Sequence, residues 1–140
     1  MKYLAVVSFL LFSSTVIADT VTYNTVFEGV QVGASTLEDV VERFGKPSSN
    51  EKFDTHEMYY YSRFEISIRH STGKINSILV IDPDYVDPNK ISIGKSIRDI
   101  ESQFNITIVG NYFVDSSKGI IYWFLDGHVS YIVLAAGLDL

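Results

Sequence analysis

The sequence predicts an α+β fold made of two tandem units. Each unit is a short helix followed by a three-stranded antiparallel meander, and the two share one sheet with both helices on one face. Three observations predict this. The stretch GASTLEDVVERFGKP at 33–47 is echoed by GKSIRDIESQF at 94–104. Each copy is followed by β-rich runs separated by turn signals. Between the two sets lies DPDYVDPN at 82–89, whose Pro and Asp content reads as a solvated linker. The predicted organisation is a signal peptide over 1–18, a first unit over 19–81, a linker over 82–90 and a second unit over 91–140.

The leader comes first along the chain. MKYLAVVSFLLFSSTVIA carries Lys2, an apolar run from Leu4 to Phe12, and then Ser13, Ser14 and Thr15. Val16 and Ala18 occupy the small-residue positions before a cut, which is the layout of a secretory signal peptide. The apolar run is short for a bilayer core of roughly 30 Å, which disfavours an uncleaved anchor. The mature chain is expected to begin at Asp19, outside the cytoplasm, with no stable membrane insertion.

Each repeat opens with an alternating stretch that ends in glycine, Val30-Gln31-Val32-Gly33 and Ile91-Ser92-Ile93-Gly94. A hydroxyl residue follows with Asp three positions on, Thr36 with Asp39 and Ser96 with Asp99. This is a capping-box pattern: the hydroxyl satisfies an orphan helix N–H and the acid favours the positive end of the dipole. Leu37, Val40, Val41 and Phe44 then fall at helical spacing, as do Ile97, Ile100 and Phe104. Gly45 and Pro47 stop the first helix, and Asn105 stops the second. Helices this short do not persist alone, so their stripes need a sheet to cover.

The runs EMYYYS (57–62), FEISIR (64–69) and KINSILVI (74–81) are expected to supply strands in the first unit. ITIVGNYFV (106–114), GIIYWFL (119–125) and HVSYIVLA (128–135) do so in the second. Ser71-Thr72-Gly73 and Asp126-Gly127 read as hairpin turns. One helix on three strands makes a very small core, which is the physical reason to expect two units side by side.

The 140 residues are 46% hydrophobic and 20% charged, the profile of a folded domain, and carry a net charge of −6. Lys and Arg are scattered, with no basic run to displace phosphate counterions, so nucleic acid is not an expected partner. The absence of cysteine excludes disulfides, thiolate metal sites and lipid attachment through a cysteine.

The pattern of a glycine, a capped helix ending in Phe-Gly-Lys-Pro, a Tyr-rich strand and a hairpin resembles the SmpA/OmlA (BamE-like) domain of the bacterial envelope. Gly33, Thr36, Asp39, Val40, Phe44, Gly45 and Pro47 carry the resemblance, with Tyr60 and Tyr61 in the following strand. The second copy matches at Gly94, Ser96, Asp99, Ile100 and Phe104 and lacks the Gly-x-Pro ending. Two such units in tandem resemble the β-lactamase inhibitor protein fold. The resemblance implies a non-catalytic protein-binding scaffold, periplasmic or secreted. BamE-like proteins are anchored through an N-terminal cysteine, so this chain is not expected to be a lipoprotein.

Motifs for chemistry are sparse. His56, His70 and His128 lack metal-ligand spacing, and Asp82, Asp84 and Asp87 lack the glycine and glutamate of an EF-hand loop. There is no GxSxG, GxGxxG or P-loop. No catalytic residue, metal or cofactor is expected. The aromatic content, 14% of the chain, is the stronger feature. Alternation in MYYY places Tyr59 and Tyr61 on one face, and their parity with Glu57 favours that face as the open one. Tyr131 and the adjacent-strand Trp123 join them as expected binding residues, because Tyr and Trp offer much contact area at little entropy cost. The expected function is an exported module that docks a protein partner through an open aromatic sheet face. The alternative is a secreted inhibitor of a hydrolase.

Overall fold

The structure, a computed structural model, describes residues 21–138. The expected signal peptide therefore lies outside the described residues. The elements are β1 (Val26–Phe27), β2 (Val30–Gln31), α1 (Leu37–Phe44), β3 (Ser49–Lys52), β4 (His56–Tyr60), β5 (Phe64–Arg69), β6 (Ile75–Val80), α2 (Ile97–Phe104), β7 (Tyr112–Asp115), β8 (Ile120–Leu125) and β9 (His128–Ala135). The fold is α+β: two helices and one seven-stranded antiparallel sheet in the order β3-β4-β5-β6-β9-β8-β7, with β1 and β2 forming a small separate hairpin.

Both helices form where capping and apolar spacing direct them. Thr36 Oγ1 accepts the Asp39 N–H, and Asp39 Oδ2 accepts the Thr36 N–H at 2.8 Å, closing the box. Ser96 Oγ accepts the Asp99 N–H at 3.2 Å, and Asn105 ends α2 in the left-handed region at φ 53°. Val40 and Ile100 are fully buried, and Leu37, Phe44, Ile97 and Phe104 pack on one continuous core. Thr36→Ala is expected to destabilise by about 1 kcal/mol in urea denaturation, the usual worth of such a cap.

Core residues run across the sheet in register. Phe64 stands opposite Val80, Val80 opposite Ile132, and Ile132 opposite Tyr122. A second row runs Ile66, Ile78, Leu134 and Ile120. These rows and the helix stripes belong to the same buried cluster, so the helices cover that side of the sheet. At roughly 1.5–3 kcal/mol for each buried large apolar side chain, this layer dominates the favourable side of folding.

Two expected features differ. Residues 49–52 form an edge strand that the sequence conceals, because Ser-Asn-Glu-Lys is polar and exposed throughout. Residues 106–111 are not strand. Ile106 and Ile108 are half-buried, but the Ile108 N–H goes to Glu101 Oε1 at 2.8 Å and not to a neighbouring strand.

Tyr23 and Thr25, ahead of β1, tie to the end of β9 and to the β7–β8 turn. The Tyr23 N–H donates to the Ala136 carbonyl at 2.8 Å, and Thr25 Oγ1 donates to the Lys118 carbonyl at 2.9 Å. Gly119 sits beneath Tyr23 at φ +69°. A Cβ there would lie 2.4 Å from the Tyr23 ring, so only glycine fits.

Candidate functional site

The uncovered side of the sheet carries the candidate site. Side chains alternate, so the residues between core positions point away from the helices. Toward the β7 side of the sheet these are mainly apolar. Leu79, Val133, Ile121 and Val114 form one cross-strand row. Tyr131, Trp123 and Tyr112 form the next. Trp123 lies between the two tyrosines, 5.7 Å from Tyr131 and 5.1 Å from Tyr112 by ring centroids. Ile81 and Leu125 extend the patch at 44% and 67% exposure, and Tyr112 is 50% exposed. An apolar aromatic surface of this extent on one face is the kind that marks an interaction site.

Trp123 and Tyr131 therefore sit together on the open face, while Tyr59 and Tyr61 do not join them. Tyr59 is opposite Ile66, a core position. Tyr61 stacks on Phe64 at 4.7 Å, lies 6.3 Å from Phe44 of α1, and donates its hydroxyl to the Gly45 carbonyl at 2.9 Å. Both belong to the helix-covered layer, and burial pushes both phenols above their ordinary pKa. The parity argument from Glu57 fails because Glu57 lies at the start of β4, at the sheet's margin. There it accepts the Asn50 amide at 2.7 Å while sharing the covered side. Sequence reasoning misses Tyr112. Its signal was present: it is a strand aromatic beside the IYWFL run.

The connector over 82–90 is solvated only in part, because two of its acids turn inward. Asp82 and Asp87 are buried, at 7% and 2% exposure. Asp82 accepts Arg63 Nη1 at 2.6 Å and the Asp84 N–H at 3.0 Å. The backbone N–H of Asp84, then the Arg63 guanidinium, hold its carboxyl below the usual range. Asp87 accepts the N–H groups of Asn89 and Ile91 at 2.9 and 2.8 Å and the Tyr122 hydroxyl from the core of β8. Asn89 Nδ2 bridges Tyr122 Oη at 2.8 Å and Asp115 Oδ2 at 2.7 Å. Burial pushes Asp87 above the ordinary carboxylate range against its hydrogen bonds. At Asp115 burial acts the same way, but donors from Ser117 and Asn89, with the Lys118 charge, outweigh it and hold the group low. Burial, then the Asp87 contact, raise the Tyr122 phenol. The network fastens the connector to the sheet, with Asp87, Asp115 and Tyr122 buried.

The histidines separate. His56 and His70 line one cleft at the far end of the open face, whereas His128 is paired with Leu125 at the β8–β9 turn. Among the described residues no group of three or more His, Cys, Asp or Glu is arranged to hold a metal ion. Among the same residues no helix is long and apolar enough to cross a membrane.

No protein-family model matches the sequence. No curated protein matches it either. Among solved structures the fold is similar to that of an extracellular protein containing an SCP domain from Bacillus anthracis str. Ames, with a TM-score of 0.55 and 12% identity over 74% of this chain and 43% of that one. The chain thus spans less than half the length of that protein, and the likeness is one of fold. It overturns the SmpA/OmlA (BamE-like) resemblance, and with it the likeness to the β-lactamase inhibitor proteins. The neighbour is an SCP-domain protein, and a seven-stranded sheet with two helices is unlike an SmpA/OmlA helix-plus-strand tandem. The physical reason is that Gly33, Thr36, Asp39, Phe44 and Gly45 perform tasks any short capped helix requires. They turn the chain, cap the helix, anchor it and end it.

Proposed function

We propose that this chain is an exported, non-catalytic protein-binding module that docks a protein partner through the open sheet face centred on Tyr112, Trp123 and Tyr131. The observation that carries the reading is the contiguous aromatic row continued by exposed Ile81 and Leu125. A rigid sheet presents these rings with little entropy left to lose on binding. Export is supported by the leader pattern over 1–18 and agrees with the extracellular character of the structural neighbour. The test is affinity capture from the exported fraction, with the chain starting at Asp19 as bait. A partner retained by the native bait and by a Tyr59→Ala bait, but lost by a Trp123→Ala bait, is the expected result. Equal capture by all three removes the face from the reading.

We also infer that the fold is an internal duplication about the β6–β9 pair, one helix-and-meander unit on each side. The bonds on the two sides correspond. The Gly33 N–H donates to the Ile75 carbonyl at 2.7 Å, and the Gly94 N–H to the Val129 carbonyl at 2.8 Å. Ile75 N–H donates to Ser35, and Val129 N–H to Lys95, both at 2.9 Å. Thr36 bridges to Lys74 as Ser96 bridges to His128. Each second hairpin strand carries one extra residue at the matching place, Asn76 in β6 and Ser130 in β9.

A further inference from the structure

The open face is not uniform. At the end of β4–β6 remote from the aromatic row it holds a polar cleft of about 640 Å³. Small side chains make the depression, since Ser67 of β5 stands opposite Ser77 of β6. His56 and Arg69 face each other across the β4–β5 register. His70, Asp54 and Asn76 complete the rim, Asn76 being the extra residue of the β6 bulge. In a chain of net charge −6, one arginine and two histidines converging on a concave surface run against the overall charge.

We propose that this cleft binds a small oxyanion, such as a sulfate, phosphate or carboxylate group, against Arg69 with His56 and His70 at its sides. The groups are held for that task. One Arg69 N–H is spent on Asn76 Oδ1 at 3.0 Å, which steadies the guanidinium beside the cleft, and four donors of its fork remain for a ligand. The His56 ring is stacked on Phe53 at 4.8 Å, with Nδ1 3.1 Å from Thr55 Oγ1. His70 Nδ1 lies 3.2 Å from the Asp54 carbonyl oxygen. A carbonyl only accepts, so Nδ1 carries the proton, and in the neutral ring Nε2 offers a lone pair. Nε2 of the neutral ring thus offers an anion no donor, and the Arg69 fork is the group that holds it. The other charged or titratable groups around His70 are Asp54, His56 and Arg69 in the cleft and Lys74 across the β5–β6 turn. Asp54 opposes the anion. Glu51, beside Met58 in the register, is engaged by the Tyr60 hydroxyl at 3.1 Å.

This site is separate from the docking reading and stands or falls without it. Isothermal titration calorimetry of the whole chain with sodium sulfate, and in parallel sodium acetate, at ionic strength fixed by sodium chloride, tests it. Saturable binding by either anion is expected. Which anion binds tighter distinguishes a tetrahedral from a planar ligand. Arg69→Gln should weaken binding about tenfold, the loss of one charge-assisted hydrogen bond. Asp54→Asn should tighten it by removing the opposing charge, while the backbone carbonyl that holds His70 is unchanged. Both positions are exposed, and circular dichroism confirms that the variants fold. No saturable heat with either anion, or equal affinity in the native chain and Arg69→Gln, overturns the proposal.

Discussion

Asp87→Ala is expected to destabilise the fold by roughly 3 kcal/mol or more in urea denaturation. The carboxylate is the common acceptor for the Tyr122 hydroxyl and the N–H groups of Asn89 and Ile91. Removing it strands buried donors, and each costs about 1–3 kcal/mol when left without a partner. Tyr122→Phe should cost about 1–3 kcal/mol, because Asp87 and Asn89 then each lose a partner. The same substitution at Tyr85 should have the opposite sign. Its ring packs on Phe27 at 5.3 Å, but its hydroxyl is buried with no hydrogen-bond partner among the described residues. Tyr85→Phe is expected to be neutral or to stabilise by about 1 kcal/mol. Asp87 and Asp115 should also separate by pH. Asp87 has a raised folded pKa, so its contribution is fully present below the unfolded value and is lost as pH rises through the folded one. Asp115 has a lowered pKa, so its contribution is present above the unfolded value and is lost as pH falls through the folded one. The penalty of Asp87→Asn should therefore be larger at about pH 3 than at about pH 7, and that of Asp115→Asn smaller. Parallel pH profiles for the two variants would contradict this account of the network.

Local physics was legible in the sequence, while sidedness was not. Thr36, Asp39, Ser96 and Asn105 act within one helical turn, so the sequence pattern alone locates both helices. The hairpin strands 64–69, 120–125 and 128–135 follow from β-propensity and turn residues. Which face of β4 meets α1 depends on packing between elements distant in the chain. A single acid near the strand's end does not decide it, and Tyr59 and Tyr61 lie on the covered side. The connector misled through composition. Its Asp side chains accept N–H groups two residues on, Asp82 from Asp84 and Asp87 from Asn89, so residues typical of solvated loops here form buried turns. Edge strand β3 escaped notice because a polar edge, which discourages pairing with other chains, carries no apolar alternation.

Trp123→Ala and Tyr61→Ala should separate binding from folding. Trp123 lies between Tyr112 and Tyr131 on the uncovered face, where its truncation removes stacking worth about 1 kcal/mol to the sheet. If that face docks a partner, the same truncation removes the centre of the contact. It should then cost about 2 kcal/mol of binding, a factor of about 30 in Kd. Tyr61→Ala should do the reverse. It deletes a ring packed between Phe64 and Phe44 and the hydroxyl bonded to Gly45, so about 2 kcal/mol of stability is lost while affinity for the partner holds. Urea denaturation and surface-immobilised binding on the same two variants give both numbers. The crossed pattern assigns the interface to the uncovered face. A Tyr61→Ala variant that folds normally and fails to bind would instead place the contact on the helix side, with the aromatic row serving only to hold the sheet together.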